Sequence, residues 1–326
     1  MFKKVAIVTG CAGFIGLTFT RKLLEKGWKV YGIDKFTYVA DHDELINLTL
    51  QFPENFEFNE QDIVDLDWIP ECDVIFNLAA ESDVDVGNLN SFNFVRSNVE
   101  GVRNLLQLIN NRIVIRADKP LFFQLSTDEV YGDLTNGSFD EDSQLKPSNP
   151  YSATKASADL LIQSWARTYD LEYIIARPSN NYGPFQYPEK LIPLAVKRLQ
   201  RGKKIKLHNK GTPIRQWTHT EDTADALITI YEKGDRNKVF NITSGFEQQN
   251  LETVKKILNC YFLDTIKRDI PDLESHLDLS FERPGQDVRY SITAEPLKKL
   301  GWVPKKEFDI ELPKLVKHFS NKGWRW

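Results

Sequence analysis

Several features that mark particular classes of protein are missing from these 326 residues. The three cysteines, Cys11, Cys72 and Cys260, are scattered and show no C-x-x-C spacing, which argues against a disulfide framework or a zinc site. No apolar run approaches the roughly 18 residues that a membrane-spanning helix needs. The run Val5–Val8 is too short for a signal peptide. These absences predict a cytoplasmic protein with reduced thiols and no membrane partner.

An excess of basic residues is also missing. The formal net charge is −4 and the isoelectric point is near 5.8, which argues against a nucleic-acid partner held by phosphate contacts. Hydrophobic residues make up 41% of the chain and charged residues 27%, as is usual for a globular enzyme. The length suits one large domain or two moderate ones.

A glycine-rich turn follows the first short apolar run. Gly10, Gly13 and Gly16 have the spacing G-x-x-G-x-x-G between a predicted strand and a predicted helix. Gly10 permits a tight turn, Gly13 lets the backbone approach a pyrophosphate, and Gly16 allows helix and strand to pack closely. The N-terminus of the helix then offers free N–H groups to phosphates. The context predicts a dinucleotide-binding turn rather than a chance turn.

Asp34 stands at the end of the second predicted strand, eighteen residues after Gly16. A carboxylate at this place accepts hydrogen bonds from an adenosine ribose and repels a 2′-phosphate. The predicted cofactor is therefore NAD rather than NADP, although Lys35 beside Asp34 weakens this inference slightly.

Strands and helices alternate along the first half of the chain, which predicts an α/β fold with a doubly wound parallel Rossmann sheet. After Pro178 the alternation is broken by prolines and long loops. We expect an NAD-binding domain over residues 1–178, completed by about residues 216–242. Residues 179–326 would mainly form a smaller C-terminal α/β domain that binds the substrate.

The strand predicted over residues 121–125 ends in a dense group of polar residues, Thr127, Asp128 and Glu129 among them. Ligands bind at this carboxyl edge of a parallel sheet. Tyr151 and Lys155 lie one helical turn apart and can meet a common ligand. A free tyrosine has a pKa of about 10, and a nearby ammonium together with a positive nicotinamide favours its phenolate form. Thr127 would bond the same substrate hydroxyl.

These motifs resemble the extended short-chain dehydrogenase/reductase family, and within it the nucleotide-sugar 4,6-dehydratases. The resemblance covers the chain from Val5 to about Pro304. It is carried by the following segments: Thr9-Gly10-x-x-Gly13-Phe14-Ile15-Gly16, Asn77 to Ser82, Ser126 to Gly132, Tyr151-Ser-Ala-x-Lys155, Arg177 to Pro184, Pro188 to Pro193, and Arg283-Pro284-Gly285-x-Asp287.

The resemblance implies a role for each catalytic residue. Tyr151, with Thr127 and Lys155, would take the proton of a sugar 4-hydroxyl while NAD removes the C4 hydride. Glu129 would then remove the C5 proton, made acidic by the 4-ketone. Asp128, kept neutral by the acidic site, would protonate the departing C6 hydroxyl. A 4-epimerase requires neither acid. No metal is expected.

Binding residues are also implied by the resemblance. Arg215 and Arg283 match two arginines that hold the substrate diphosphate, a role that suits their planar forked donors. The remaining substrate contacts expected are Asn180, Lys190, Leu191 and Asn250. The cofactor contacts expected are Gly10, Gly13, Phe14, Ile15, Gly16, Asp34, Asp62, Ile63, Leu78, Ala79, Ala80, Tyr151, Lys155 and Ser179.

The chain also departs from the family pattern. Asp83 and Gln286 stand where the family usually has histidines, which leaves the choice between dTDP-glucose and UDP-glucose open. His219 has no metal-ligand partners at useful spacing and is expected to pack or to cap a helix. The alternatives are a nucleotide-sugar 4-epimerase, a UDP-glucuronate decarboxylase, or a catalytically silent NAD(H)-binding regulator. Family members commonly form homodimers through two helices, here expected at residues 91–110 and 151–169.

Overall fold

The computed structural model of the protein describes residues 4–114, 119–269, 272–282 and 287–321. Arg283 and Gln286 therefore lie outside the described residues. The strands are β1 Val5–Thr9, β2 Lys29–Asp34, β3 Phe56–Glu60, β4 Val74–Asn77, β5 Leu121–Leu125, β6 Tyr173–Pro178, β7 Asn180–Tyr182, β8 Ile205–Lys206, β9 Ile214–His219, β10 Lys238–Ile242, β11 Glu247–Gln249 and β12 Leu277–Asp278.

The helices alternate with the strands through the first half of the chain. They are α1 Phe14–Glu25, α2 His42–Gln51, α3 Val84–Leu89, α4 Phe92–Val95, α5 Gly101–Val114, α6 Pro150–Tyr169, α7 Leu191–Gln200, α8 Thr220–Lys233, α9 Asn250–Asn259, α10 Glu295–Lys299 and α11 Phe308–Asn321. Within the described segments, none of the helices has the length and apolar character needed to cross a bilayer.

Seven strands form a central sheet in the order β10-β6-β5-β4-β1-β2-β3, and each neighbouring pair in it is parallel. The chain winds outward from β1 in one direction to β3, and then returns to β4 and continues in the other direction. The predicted doubly wound Rossmann sheet is confirmed. The reversal lies between β1 and β4, and this is the place where such sheets bind ligands.

Burial on both faces explains the apolar strands of this sheet. All five residues of β5 are buried. One face carries a core that includes Leu23, Phe76 and Leu227 from α1, β4 and α8. The other face carries a core that includes Val102 and Ile162 from α5 and α6. A parallel sheet covered on both sides is expected to show continuous apolar runs rather than alternation.

A third core lies in the C-terminal part of the chain. It includes Trp217, Val254 and Leu312 and is distinct from the two cores that cover the central sheet. Near it are a three-stranded sheet in the order β11-β9-β7 and a two-stranded sheet of β12 and β8. Strand β10 comes late in the chain but pairs with β6 in the central sheet. The chain therefore returns to the central sheet after it has entered the C-terminal core. The division at about residue 178 stays a prediction.

The helix predicted over residues 91–110 is not one regular helix. It begins as α4, continues as a π-helical segment at Arg96–Glu100, and becomes α5. In the π segment, Asn98 accepts a hydrogen bond from the Glu81 backbone N–H at 2.9 Å and donates to Thr154 Oγ1 at 3.0 Å. Periodicity did not predict this local change, and π segments are frequent at functional sites.

Candidate active site

A long cleft follows the carboxyl edge of the central sheet. Its central part encloses about 1160 Å³ and is lined by the glycine turn at one end and by Thr127, Glu129 and Tyr151 in the middle. One end opens into a smaller pocket beside Asp34. The other end continues into a region of about 1210 Å³ beside Arg215. The sequence-predicted site residues that the structure describes all line one of these three parts.

The glycine turn has the close contacts that its spacing predicts. Gly10 has φ of 70°, and a Cβ there would lie 2.7 Å from the Ala79 backbone nitrogen. A Cβ on Gly16 would lie only 1.9 Å from the Gly10 carbonyl oxygen. Helix α1 begins after Gly13 with no side-chain cap and no acidic residue in its first turn. The N–H groups of its first turn are therefore available to bind an anionic group.

Asp34 ends β2 and faces the small pocket. Its carboxylate accepts hydrogen bonds from the backbone N–H groups of Ala12 and Phe36, each at 3.0 Å. Burial raises its pKa, and these two hydrogen bonds oppose the shift. Asp62, Ile63, Ala79 and Ala80 line the same pocket. This end of the cleft has the acidic group that an adenosine ribose would bond to.

Phe14 and Ile15, on the first turn of α1, line the central cleft together with Leu78 and Ser179. Ser179 is buried, and its hydroxyl shares a 2.8 Å hydrogen bond with Thr218. Strand β4 ends at Asn77. The backbone leaves the sheet because the Leu78 N–H bonds to the Thr9 carbonyl and the Ala79 N–H to the Thr9 hydroxyl.

Tyr151 and Lys155 lie on α6 with Thr127 facing them from the end of β5, and all three are buried. Burial, followed by the charge of Glu129, raises the pKa of the Tyr151 phenol, while a hydrogen bond with Thr127 lowers it. Burial lowers the pKa of the Lys155 ammonium to about 8, and Asp159 opposes this shift. Lys155 Nζ donates to the Leu125 carbonyl at 2.7 Å. The chain alone therefore holds Tyr151 protonated, and a further positive charge is needed to ionise it.

Asp128 and Glu129 lie on a single 3₁₀ turn, Asp128–Tyr131, directly after β5. Burial and the charge of Glu129 raise the pKa of the Asp128 carboxyl to about 8. Asp128 Oδ2 is buried and has no hydrogen-bond partner among the described residues. Burial also raises the pKa of Glu129, and Arg215 opposes it. The raised pKa of Asp128 keeps a proton on that carboxyl at neutral pH, and Arg215 favours the charged form of its neighbour Glu129.

The third part of the cleft contains buried polar atoms that other described residues leave without a hydrogen bond. They are Asn180 Oδ1, Trp217 Nε1 and Asn250 Oδ1. Buried polar atoms of native proteins are nearly always bonded to protein, water or ligand. A ligand with both donors and acceptors would satisfy this group.

Arg215, Lys190 and Leu191 line the same part of the cleft. The Arg215 guanidinium lies 4.2 Å from the centre of the Tyr290 ring and donates to the carbonyls of Ile214 and Asp287. Lys190 Nζ donates to the Ser82 carbonyl at 3.0 Å and lies 3.1 Å from Glu189. Two cations in one cleft suit a substrate with phosphate groups.

Four residues near Glu129 were not expected from their sequence positions. Asn149, the N-cap of α6, donates to Glu129 Oε2 at 3.4 Å, and the Tyr290 hydroxyl donates to the same oxygen at 3.4 Å. Tyr290 and Ser148 also donate to Asp287. Asp287 belongs to a motif quoted from the sequence, but the meeting of these residues at one place depends on chain crossings that local patterns do not encode.

Asp83 and His219, two residues singled out in the sequence, both cap helices. Asp83 caps helix α3 by accepting from the N–H groups of Asp85 and Val86 at 2.9 and 3.2 Å. His219 is the N-cap of α8, where its Nδ1 accepts from the Glu221 N–H at 3.2 Å. The prediction of a packed or capping histidine is confirmed.

The chain is similar in sequence to a known family and to individual proteins. The sequence profile of the family described as GDP-mannose 4,6 dehydratase matches residues 7–314. The low-salt glycan biosynthesis protein Agl12 of Haloferax volcanii is 41% identical over 318 residues, which cover 96% of this chain and 97% of that protein.

Solved structures agree in fold. The dTDP-glucose 4,6-dehydratase DesIV of Streptomyces venezuelae, determined with NAD bound, superimposes with a TM-score of 0.87 and 33% identity over 96% of both chains. UDP-glucose 4-epimerase of Thermotoga maritima, determined with UDP-glucose, gives a TM-score of 0.83 and 25% identity over 97% of this chain and 98% of that one. The fold is therefore shared by dehydratases and epimerases, and side chains must separate the two reactions.

Proposed function

The chain belongs to the extended short-chain dehydrogenase/reductase family of nucleotide-sugar dehydratases, and from its active-site residues we propose that it is an NAD-dependent nucleotide-sugar 4,6-dehydratase. The substrate would be dTDP-glucose or UDP-glucose, and the product the 4-keto-6-deoxy sugar. The observation that carries this proposal is the pair formed by the buried Asp128 and the half-buried Glu129 beside Tyr151, because oxidation at C4 alone requires neither carboxyl group.

The residues of the glycine turn fit the proposed cofactor. The crowded backbone of Gly10 and Gly16 and the uncapped start of α1 form a cradle for a pyrophosphate. Asp34 would face the adenosine ribose. When bound, NAD supplies the oxidising power of the reaction, accepting a hydride from C4 and later returning it to C6. The structure of DesIV, a family member, contains NAD, which supports this assignment.

Tyr151 would begin the chemistry by removing the proton of the sugar 4-hydroxyl. Its phenol needs positive charge nearby, since burial alone raises its pKa. The Lys155 ammonium and the N-terminus of α6, where Tyr151 is the second residue, supply part of that charge. Thr127 would hold the same hydroxyl in position.

Glu129 and Asp128 would carry out the elimination. The new 4-ketone acidifies the C5 proton, and the Glu129 carboxylate would remove it. The electron pair left at C5 forms the C5–C6 double bond as the C6–O bond breaks. The Asp128 carboxyl, with its raised pKa, would give its proton to the departing hydroxyl so that water leaves. Glu129 then returns its proton to C5.

The third part of the cleft would bind the nucleotide. Arg215 would contact the diphosphate, and Asn180, Lys190, Leu191 and Asn250 would contact the remaining groups. Arg283 is proposed for the diphosphate from its motif alone, since it lies outside the described residues. The residues do not decide between thymine and uracil, because one methyl group on the base gives only a modest binding preference.

An epimerase or a UDP-glucuronate decarboxylase of the same fold is the main alternative. Either would use Thr127, Tyr151 and Lys155, and the similarity to a UDP-glucose 4-epimerase keeps the first in view. Neither would need a protonated carboxyl at Asp128. A silent NAD(H)-binding regulator is disfavoured, because it would not require all three of the redox side chains.

The proposal is tested by incubating the holoenzyme with dTDP-glucose and, in parallel, with UDP-glucose. We expect a 4-keto-6-deoxy sugar, with loss of one water and no net change in the cofactor. The ratio of the two rates would identify the nucleotide. A product that keeps its C6 hydroxyl, such as the galactose epimer, would contradict the dehydratase assignment.

We also propose a homodimer formed through the helices expected at residues 91–110 and 151–169. Large apolar side chains exposed on both elements support it, because burying them would favour association. Phe92 is 68% exposed and Leu160 is 58% exposed. Sedimentation analysis would show a single species of twice the chain mass; a monomer at micromolar concentration would contradict it.

A further inference from the structure

Three charged side chains lie fully inside the protein beside the redox centre. Asp159 is 0% exposed, Arg177 is 2% exposed and Lys155 is 3% exposed. Charged residues are seldom buried to this extent unless they are paired, since desolvation costs several kcal/mol per ion. The group therefore contains two cations and one anion in a region of low dielectric constant.

Asp159 binds Arg177 and Ser126 through one of its two oxygens. Its Oδ2 accepts from Arg177 Nε at 3.0 Å, from Ser126 Oγ at 3.0 Å, and lies 3.0 Å from Arg177 Nη2. The other oxygen, Oδ1, is buried and has no hydrogen-bond partner among the described residues. Asp159 thus has an acceptor that Arg177 does not use.

Lys155 lies one helical turn before Asp159 on α6, so the two side chains share a face of the helix. The other charged or titratable groups around Lys155 are Tyr151 on its own helix, Asp128 and Glu129 on the turn after β5, and Arg177 on β6. It is the charge of Asp159, rather than of these other groups, that favours the Lys155 ammonium against the cost of burial.

We propose that Asp159 is the counter-ion of the Lys155 ammonium and acts on the C4 oxidation as a positioning residue, through Lys155. This inference rests on the proposed function for the role of Lys155, but not for the charge interaction itself. Arginine does not lose its proton in proteins. If Asp159 were neutral, the excess positive charge would be relieved by deprotonation of Lys155, and Tyr151 would lose a cation that favours its phenolate.

The direct test measures the titration of Lys155 in the protein without cofactor. Lysine labelled with ¹³C at Cε reports protonation by NMR, and the Lys155 signal is assigned by its absence in Lys155→Gln. In the unmodified protein we expect a midpoint near pH 8. In Asp159→Asn the midpoint should fall by about one unit or more, and in Asp159→Glu it should return toward the original value. An unchanged midpoint in Asp159→Asn would overturn the proposal.

A further variant separates the charge of Asp159 from its hydrogen bonds. Ser126→Ala removes one hydrogen bond to Asp159 but no charge, and should leave the midpoint in place. A shift in Ser126→Ala as large as that in Asp159→Asn would indicate a structural role and overturn the proposal.

The consequence for chemistry is measured with a nucleotide-linked 6-deoxyglucose, which has no C6 hydroxyl to eliminate. Only C4 oxidation remains, and it is followed by the absorbance of the reduced cofactor. The alkaline limit of this rate should move to lower pH in Asp159→Asn by the same amount as the NMR midpoint. If the midpoint moves while no variant oxidises the sugar, the proposed function fails and the counter-ion role stands. If oxidation proceeds with an unshifted limit, the role of Asp159 in chemistry is wrong.

Discussion

Two pairs of side chains in the cleft differ in how the fold prepares them. Tyr151 and Lys155 lie on α6, a 20-residue helix with a capping box formed by Asn149 and Ser152. Asp128 and Glu129 lie on a four-residue 3₁₀ turn. The first pair is placed by helical spacing. The second pair is placed by the end of the buried strand β5. Burial and the neighbouring charges shift the pKa values of its two carboxyl groups.

Burial raises the pKa at both pairs, with opposite consequences for catalysis. It raises the pKa of the Tyr151 phenol, which opposes the formation of a phenolate base. It also raises the pKa of the Asp128 carboxyl, which preserves a proton for donation. The same low dielectric environment therefore requires compensating positive charge at the redox pair and needs none at the acid. Positive charge from Lys155 and the start of α6 thus serves Tyr151, and Arg215 serves the Glu129 carboxylate, whereas the Asp128 carboxyl needs none.

The largest expected effect comes from the redox pair. Tyr151→Phe should lower the overall rate by about 10⁴-fold, the upper range for loss of a general base, because every later step depends on the 4-ketone. Neither oxidation at C4 nor exchange of the C5 hydrogen with deuterium from solvent should remain. The measurement is product formation together with deuterium incorporation at C5. Exchange at C5 without oxidation would show that the two pairs are not sequential.

A smaller effect is expected at the base of the elimination pair. Glu129→Gln should lower the overall rate by about 10³-fold while C4 oxidation continues, because the amide cannot accept the C5 proton. Deuterium incorporation at C5 should be lost, and the oxidised sugar should accumulate on the enzyme. Tyr290→Phe is a matched control, since it removes a hydrogen bond to Glu129 but keeps the carboxylate and the N-cap of α6. If Glu129→Gln keeps full C5 exchange, another group is the base.

The contrast between the pairs also explains how far the sequence was predictive. Strands such as β5 were predicted to the residue because burial on both faces produces unbroken apolar runs. The glycine turn was predicted because a steric requirement leaves only one residue type at Gly10 and Gly16. Both features are local, and local patterns are what a single sequence records.

The features that could not be predicted depend on distant parts of the chain. Tyr290 reaches Glu129 across 161 residues, and Asp159 meets Arg177 on a different element. The π segment at Arg96–Glu100 interrupts a helix whose apolar spacing is regular. Its side chains bond to Glu81 and Thr154, so tertiary contacts rather than propensity account for the local change.

The smallest effect is expected at the acid, and pH is the variable that isolates it. Asp128 donates its proton only below its pKa of about 8. The dehydration rate should therefore be level below that pH and fall by up to about tenfold per unit above it. Asp128→Asn should slow elimination by about 10²-fold at neutral pH while C5 exchange continues. Equal loss of oxidation and elimination would argue against the acid role.

The free energy of unfolding gives an independent measure of the proton on Asp128. The Asp128 carboxyl has a reference pKa of 3.8, and its pKa in the fold is about 8. Between these values the folded chain binds a proton that the unfolded chain has released, so stability falls as pH rises through this window. Asp128→Asn removes that dependence and should raise the melting temperature most above pH 8.

A substrate with fluorine at C6 completes the comparison, because fluoride leaves without a proton. With it the alkaline fall due to Asp128 should vanish, leaving only the loss of charge at Lys155.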